Sequence, residues 1–185
     1  MTKESSNNIS LCNILNIRYP IIMAPMFLIS NADMLIEAIN SGITGCIPAH
    51  NFRTDSEFKD AIEMIRKKAS GPIGVNLIVN KSNVKLKQQL NSCLELKVDY
   101  IITSLGSPEK IINACKPLGI KVFCDVVDVK YALKVQNLGC DAIIAVNKEA
   151  GGHAGPTPAK KLIPELVTSC SIPVISAGGV SNGKQ

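Results

Sequence analysis

The sequence predicts an α/β fold of repeated strand–helix units and, within that class, an incomplete (βα)8 barrel, the TIM barrel. Three observations lead to this prediction. Short apolar runs recur at a steady interval, helix-like segments alternate with them, and residues suited to chemistry follow several different runs. The 185 residues suffice for one domain with its own core, so we expect a single domain over residues 1–185.

Composition favours buried parallel strands. Hydrophobic residues make up 46% of the chain, but aromatic residues only 4%, and tryptophan is absent. The core must therefore consist of aliphatic side chains, which suits strands that are buried on both faces. The strand candidates are nearly continuous apolar runs at residues 20–26, 44–49, 73–79, 98–104, 122–127, 142–146 and 173–177.

The segments between these runs carry apolar residues at helical spacing. They lie at residues 32–40, 56–68, 83–95, 108–115, 129–137 and 159–169. Ser30 or Asn31 can cap the first helix. Glycines before the following strands indicate helix C-termini at Gly42, Gly71, Gly119 and Gly139.

A closed barrel is favoured over an open doubly wound sheet. A dinucleotide-binding sheet needs Gly-x-Gly-x-x-Gly after its first strand, whereas this strand runs into Ala24-Pro25-Met26-Phe27. Barrels instead collect functional residues from the ends of many strands. A barrel needs eight strands, and the chain stops at Gln185 just after the seventh, so we expect its eighth strand to be missing.

Charge and cysteine patterns exclude several functional classes. The net charge of +5 comes from scattered lysines, without a basic block interleaved with aromatics, so we expect no nucleic-acid partner. The seven cysteines form no Cys-x-x-Cys pair, so we expect no metal site and buried, reduced thiols in a cytoplasmic protein. Neither a secretory h-region nor a membrane-length apolar stretch occurs, so we expect no membrane association.

Several candidate residues follow the predicted strands. His153 follows Gly151 and Gly152, and its imidazole suits proton transfer near neutral pH. Gly178 and Gly179 follow the seventh strand, where backbone N–H groups can bind a phosphate. An amide such as Asn76 can hydrogen-bond a planar heterocycle, or it can be purely structural. The roles of Asp125 and His50 stay open between function and an ordinary strand end or loop.

With these residues collected, the sequence resembles the flavin-dependent nitronate monooxygenase family, formerly called 2-nitropropane dioxygenases, which includes flavin-type enoyl-acyl-carrier-protein reductases. Matching segments lie at residues 20–26, 29–31, 73–76, 104–108, 149–155 and 172–180. The most specific is Ala-Gly-Gly-His-Ala-Gly at residues 150–155.

The resemblance implies FMN as the cofactor and His153 as the active-site histidine, which removes the proton alpha to a nitro group or contacts the nitronate. It implies that Ala24, Pro25, Met26 and Asn76 contact the flavin ring, that Gly151 and Gly152 lie beside it, and that Ser176, Gly178 and Gly179 bind the phosphate.

Three functions stay open at this point. The first is oxidation of alkyl nitronates with O2. The second is reduction of an enoyl thioester with NAD(P)H, and the third is a non-catalytic fragment of such an enzyme. A homodimer is compatible with each of them.

The sequence also departs from the family. Some relatives carry a basic residue where this chain has Asp125. The family's eighth strand brings a Gly and a small hydroxyl residue to the FMN phosphate, and the chain ends before it. We therefore expect a C-terminally truncated FMN-binding barrel, and we expect residues 1–185 alone to bind FMN weakly or not at all.

Overall fold

The computed structural model describes residues 10–182. Its centre is a sheet of seven parallel strands in strict sequence order. The strands are β1 (Ile22–Met23), β2 (Thr44–Pro48), β3 (Ile73–Ile78), β4 (Tyr100–Ser104), β5 (Lys121–Val126), β6 (Ala142–Val146) and β7 (Val174–Ala177). All seven predicted strands are confirmed, and β1 and β7 are the edges of the sheet within the described residues.

Six helices connect the strands and one precedes them. The helices are α1 (Leu11–Leu15), α2 (Ala32–Asn40), α3 (Asp55–Lys68), α4 (Leu86–Glu95), α5 (Glu109–Cys115), α6 (Val129–Leu138) and α7 (Ala159–Ser169). Two 3-10 turns, Ala49–Asn51 and Lys116–Leu118, follow β2 and α5. No helix within residues 10–182 is long and apolar enough to cross a bilayer.

The two faces of the sheet pack against different partners. Outward-facing strand residues pack with α2 to α7 in one large aliphatic cluster. Inward-facing residues form a second cluster of strand side chains, into which Leu11 and Leu15 of α1 insert. A doubly wound sheet reverses its strand order and carries helices on both faces, so sequential strands with one helical layer confirm the barrel class.

Local sequence signals explain most helix boundaries. Asn31 rather than Ser30 caps α2, because its side chain accepts from the N–H of Met34. Gly42, Gly119 and Gly139 have the positive φ expected after a helix. The prediction for Gly71 is wrong: α3 ends earlier, at an extended Ala69, and an added Cβ on Gly71 would lie 2.5 Å from Cγ2 of Ile39. Gly71 therefore serves close packing.

The aromatic residues of the interior constrain Gly74. Tyr100 is fully buried, stacks on Phe123 and donates a 2.7 Å hydrogen bond to the carbonyl of Gly45. A Cβ on Gly74 would overlap the Tyr100 ring, which the hydrogen bond and stacking hold in place.

Gly74→Ala should therefore destabilise the fold by overpacking, by about 1–3 kcal/mol in the free energy of unfolding. Urea denaturation measures this loss. Gly151→Ala is the matched control, because its added Cβ meets nothing within 4 Å and its φ is not positive. Equal stability of the two variants would contradict the packing argument.

Candidate functional site

The candidate residues gather at the carboxyl-terminal edge of the sheet, where the loops after the strands meet. The loop after β1 is held by polar side chains. Ser30 is buried, donates to the carbonyl of Ala24 at 2.8 Å and accepts from the N–H of Met26 at 2.9 Å. Asn51 accepts from the N–H of Leu28 and donates to the carbonyl of Ser30. These bonds fix the backbone between β1 and α2.

This fixed loop presents apolar side chains outward. Phe27, Leu28 and Ile29 are exposed, and the Phe27 ring lies 6.2 Å from the ring of His50. Leu28 has a φ of 60°, a conformation that a leucine adopts only when its surroundings impose it. We call residues 27–29 the apolar lip of the site.

A row of polar side chains crosses β3, β4 and β5. Nδ2 of Asn76 donates to the carbonyl of Ile102 at 3.1 Å and to Oγ of Ser104 at 2.9 Å. Ser104 Oγ donates in turn to Oδ2 of Asp125 at 2.5 Å. Ile102 belongs to the inward-facing cluster, so the row of polar side chains borders apolar side chains of the barrel interior. The structure thus brings Asn76 and Asp125 together through Ser104.

Burial raises the pKa of Asp125 to about 6, and the hydrogen bond from Ser104 acts in the opposite direction. No salt bridge within residues 10–182 involves this carboxylate. A carboxyl group with a raised pKa in a cleft is typical of functional sites.

Asp125→Asn should consequently stabilise the protein above pH 6. The folded state holds the carboxyl proton more tightly than the unfolded state, so the stability it contributes is present near pH 4 and lost as pH rises through about 6. We expect a gain of about 1–3 kcal/mol at pH 7.5, falling to about a third of that near pH 4.5, where the carboxyl group of the unfolded chain is already mostly ionised. Urea denaturation at both pH values measures it. The exposed Asp33→Asn in α2 should not gain stability at pH 7.5, and a gain there equal to that of Asp125→Asn would contradict the prediction.

The loop after β6 is anchored at its start and open at its tip. Asn147 is fully buried, accepts from the N–H of Glu149 and donates to the carbonyl of Gly178. The Glu149 carboxylate accepts from the N–H of Ala159 and so caps α7, whose own N-cap Pro158 makes no side-chain cap. Glu149 is therefore structural.

His153 lies at the exposed tip of this loop. No hydrogen bond, ion pair or ring contact joins its side chain to another residue in the described part of the chain. Added Cβ atoms on Gly151 and Gly152 would meet nothing within 4 Å, so the backbone before His153 has open space around it.

The glycines after β7 pack closely against the loop after β6. An added Cβ on Gly178 would overlap the backbone of Ala150, and one on Gly179 would lie 2.8 Å from Cβ of Glu149. Their φ values are 110° and 73°. Within residues 10–182 no group accepts a hydrogen bond from either N–H. These glycines therefore combine tight packing with two available donors.

Ser176 is placed differently from the other candidates. Its neighbours Ile175 and Ala177 pack with the inward-facing cluster, so alternation along β7 directs Ser176 to the opposite face, where it is exposed. A ligand would contact the Ser176 hydroxyl only from that outer side.

The sequence analysis did not identify four residues whose side chains hold the site together by hydrogen bonds. Ser30 entered only as a cap candidate, and Asn51, Ser104 and Asn147 were not singled out. Asn147 and Ser104 each stand where an apolar run ends, a signal that could have found them. Asn51 carries no such signal, because its partners are 21 and 23 residues away.

The family described as nitronate monooxygenase matches residues 81–185, which include the loops after β6 and β7. The chain belongs to the nitronate monooxygenase family. This is a family of oxidoreductases whose members depend on a flavin.

Individual relatives support the same assignment. A probable nitronate monooxygenase of Staphylococcus haemolyticus (strain JCSC1435) is 29% identical over 96% of this chain and 62% of its own length. A (3aS,4S,5R,7aS)-5-hydroxy-7a-methyl-1-oxo-octahydro-1H-indene-4-carboxyl-CoA dehydrogenase of Rhodococcus jostii (strain RHA1) is 25% identical over 95% of this chain and 49% of its own. The structure of FabK from Thermotoga maritima superposes with a TM-score of 0.88 at 30% identity, covering 94% of this chain and 55% of that one.

The chain spans less than two thirds of the length of these relatives. The staphylococcal alignment extends over 222 positions, more than the 185 residues of this chain, so that relative carries additional residues within the matched span. The alignment with the Rhodococcus dehydrogenase extends over only 175 positions.

Proposed function

We propose that the protein is an FMN-dependent oxidoreductase that oxidises alkyl nitronates with O2 and uses His153 as its base. One observation carries the proposal: the loops after β6 and β7 combine a histidine at an open glycine tip with two unbonded backbone N–H groups at Gly178 and Gly179. This pairs a proton-transfer group with an anion site at one edge of the sheet.

The residues present fit a flavin. Oδ1 of Asn76 accepts no hydrogen bond from residues 10–182, so it is available to an N–H of a planar ring. The N–H groups of Gly178 and Gly179 are available to the phosphate. Ala24, Pro25 and Met26 offer mainly van der Waals contact, because the N–H of Met26 is taken by Ser30 and proline has none.

When bound, FMN supplies the two-electron redox chemistry that links substrate oxidation to O2. When the substrate is the neutral nitroalkane, a ring nitrogen of His153 would accept the proton from the carbon next to the nitro group and so form the nitronate, because neutral imidazole accepts protons near physiological pH. A preformed nitronate needs no such step. The apolar lip of Phe27, Leu28 and Ile29 would exclude water from the opening and favour an alkyl substituent.

A second candidate function is reduction of an enoyl thioester with NAD(P)H. Two observations favour it. The Rhodococcus relative, which aligns with 95% of this chain, is named as a dehydrogenase of a carboxyl-CoA, and an acyl-CoA is a thioester. The FabK structure also superposes with a TM-score of 0.88.

One pair of assays tests the proposal. The purified protein, after an absorption spectrum establishes bound flavin, is given propyl-2-nitronate in an oxygen electrode and, separately, NADH or NADPH with crotonyl thioester. Oxygen uptake with the nitronate and no oxidation of the nicotinamide supports the proposal. The reverse result assigns the enoyl reductase function, and absence of flavin under reconstitution with excess FMN rejects both.

A further inference from the structure

The row of Asn76, Ser104 and Asp125 has a defined hydrogen-bond direction. Nδ2 of Asn76 only donates, so Ser104 Oγ accepts from it, and the single hydroxyl hydrogen goes to Asp125. A reversed amide would turn Oδ1 of Asn76 toward the carbonyl oxygen of Ile102, which Nδ2 contacts at 3.1 Å. The row therefore determines which end of the Asn76 amide faces the site.

The end that faces the site is the acceptor. Among the side chains of residues 10–182, every buried nitrogen or oxygen atom has a hydrogen-bond partner. Oδ1 of Asn76 has none in that range, so it cannot be sealed inside the protein and must border accessible space. An acceptor held at this edge suits a ligand that presents an N–H in the plane of a ring.

The carboxylate of Asp125 accepts the hydrogen bond from Ser104 that maintains this arrangement, but it forms no salt bridge within residues 10–182. The groups that face it are the hydroxyl of Ser104 from β4, the thiol of Cys46 from β2, and the apolar Ile144, its register partner in β6. The thiol of Cys124 is adjacent in the same strand. The pKa of Asp125 is raised to about 6, so its charge changes just below neutral pH.

We propose that Asp125 is a positioning residue that acts through Ser104 to hold the Asn76 amide toward the flavin ring, and that ring binding therefore depends on pH. The proposal rests on the flavin site proposed above. With the carboxylate charged, Ser104 donates to it and turns a lone pair toward Asn76. With the carboxyl protonated, the charge-assisted bond is lost and a neutral bond about half as strong replaces it.

FMN affinity of the protein, measured by quenching of flavin fluorescence between about pH 5 and 8, tests the proposal. The phosphate of FMN also titrates near pH 6 and affects every variant equally. The change in FMN affinity with pH is therefore compared between the unmodified protein and its variants. We expect the affinity of the unmodified protein to fall roughly 3- to 10-fold more than that of Asp125→Asn as pH drops from 8 to 5, as expected for losing one charge-assisted bond.

Two Ser104 variants distinguish loss of the hydrogen bond that positions Asn76 from a general loss of FMN binding. Ser104→Ala should bind FMN more weakly at pH 8, and its FMN affinity should depend on pH as little as that of Asp125→Asn. Ser104→Thr keeps the hydroxyl and should retain the pH dependence of the unmodified protein. Parallel profiles for all four proteins would overturn the proposal and leave the flavin site intact. Absence of FMN binding by the unmodified protein at every pH would reject the proposed function and this inference with it.

Discussion

Replacing His153 with Asn should lower turnover of a neutral nitroalkane by about 10²- to 10⁴-fold, the usual contribution of a positioned acid or base. Turnover of the preformed nitronate should fall much less, because that substrate has already lost its proton. Flavin binding should be nearly unchanged, since His153 makes no hydrogen bond or ion pair with the described residues and lies exposed on its loop.

Steady-state oxygen uptake with both substrates measures this difference. His50→Asn is the matched control, because His50 is the second of the chain's two histidines and also follows a strand at the same edge. It should leave the ratio of the two turnover rates unchanged. Equal losses on nitroalkane and nitronate in His153→Asn would remove the proton-abstraction role and leave His153 a binding residue.

Gly179→Ala should weaken FMN binding by about 10- to 100-fold. The added Cβ would lie 2.8 Å from Cβ of Glu149, so the loop must shift and carry its N–H away from the phosphate. Loss of one hydrogen bond to a charged group costs about 1.5–3 kcal/mol, which corresponds to this range.

Gly119→Ala separates this effect from backbone strain. Gly119 has a φ of 71°, against 73° for Gly179, and an added Cβ there meets nothing within 4 Å. Both variants should lose about 1 kcal/mol of stability from the left-handed conformation. Only Gly179→Ala should lose FMN affinity in a fluorescence titration, and unchanged affinity would exclude Gly179 from the phosphate site.

The sequence by itself determined the class of the fold and the order of its elements. Apolar runs at β2 to β7 and helical spacing in α2 and α7 are local patterns, and each element appears within a few residues of its predicted bounds. The short helix α1 escaped prediction, because its five residues are too few to show a period. Its place is defined by Leu11 and Leu15, which insert into the interior of the sheet.

The sequence also singled out the loops that carry His153, Gly178 and Gly179, because glycines beside a histidine or after a strand are visible without a structure. Tertiary structure alone joined Asn76, Ser104 and Asp125 into one row. Their hydrogen bonds span 28 and 21 residues of sequence and exist only because adjacent parallel strands bring their inward faces together.

Tertiary structure also decided the environment of each candidate. Burial in the barrel interior raises the pKa of Asp125, and no salt bridge within residues 10–182 compensates its charge. Ser176 lies on the outer face because strand alternation directs it there. Both properties depend on which residues surround a side chain after folding. A local pattern holds no such information, since desolvation and facing direction arise from elements that are distant in the sequence.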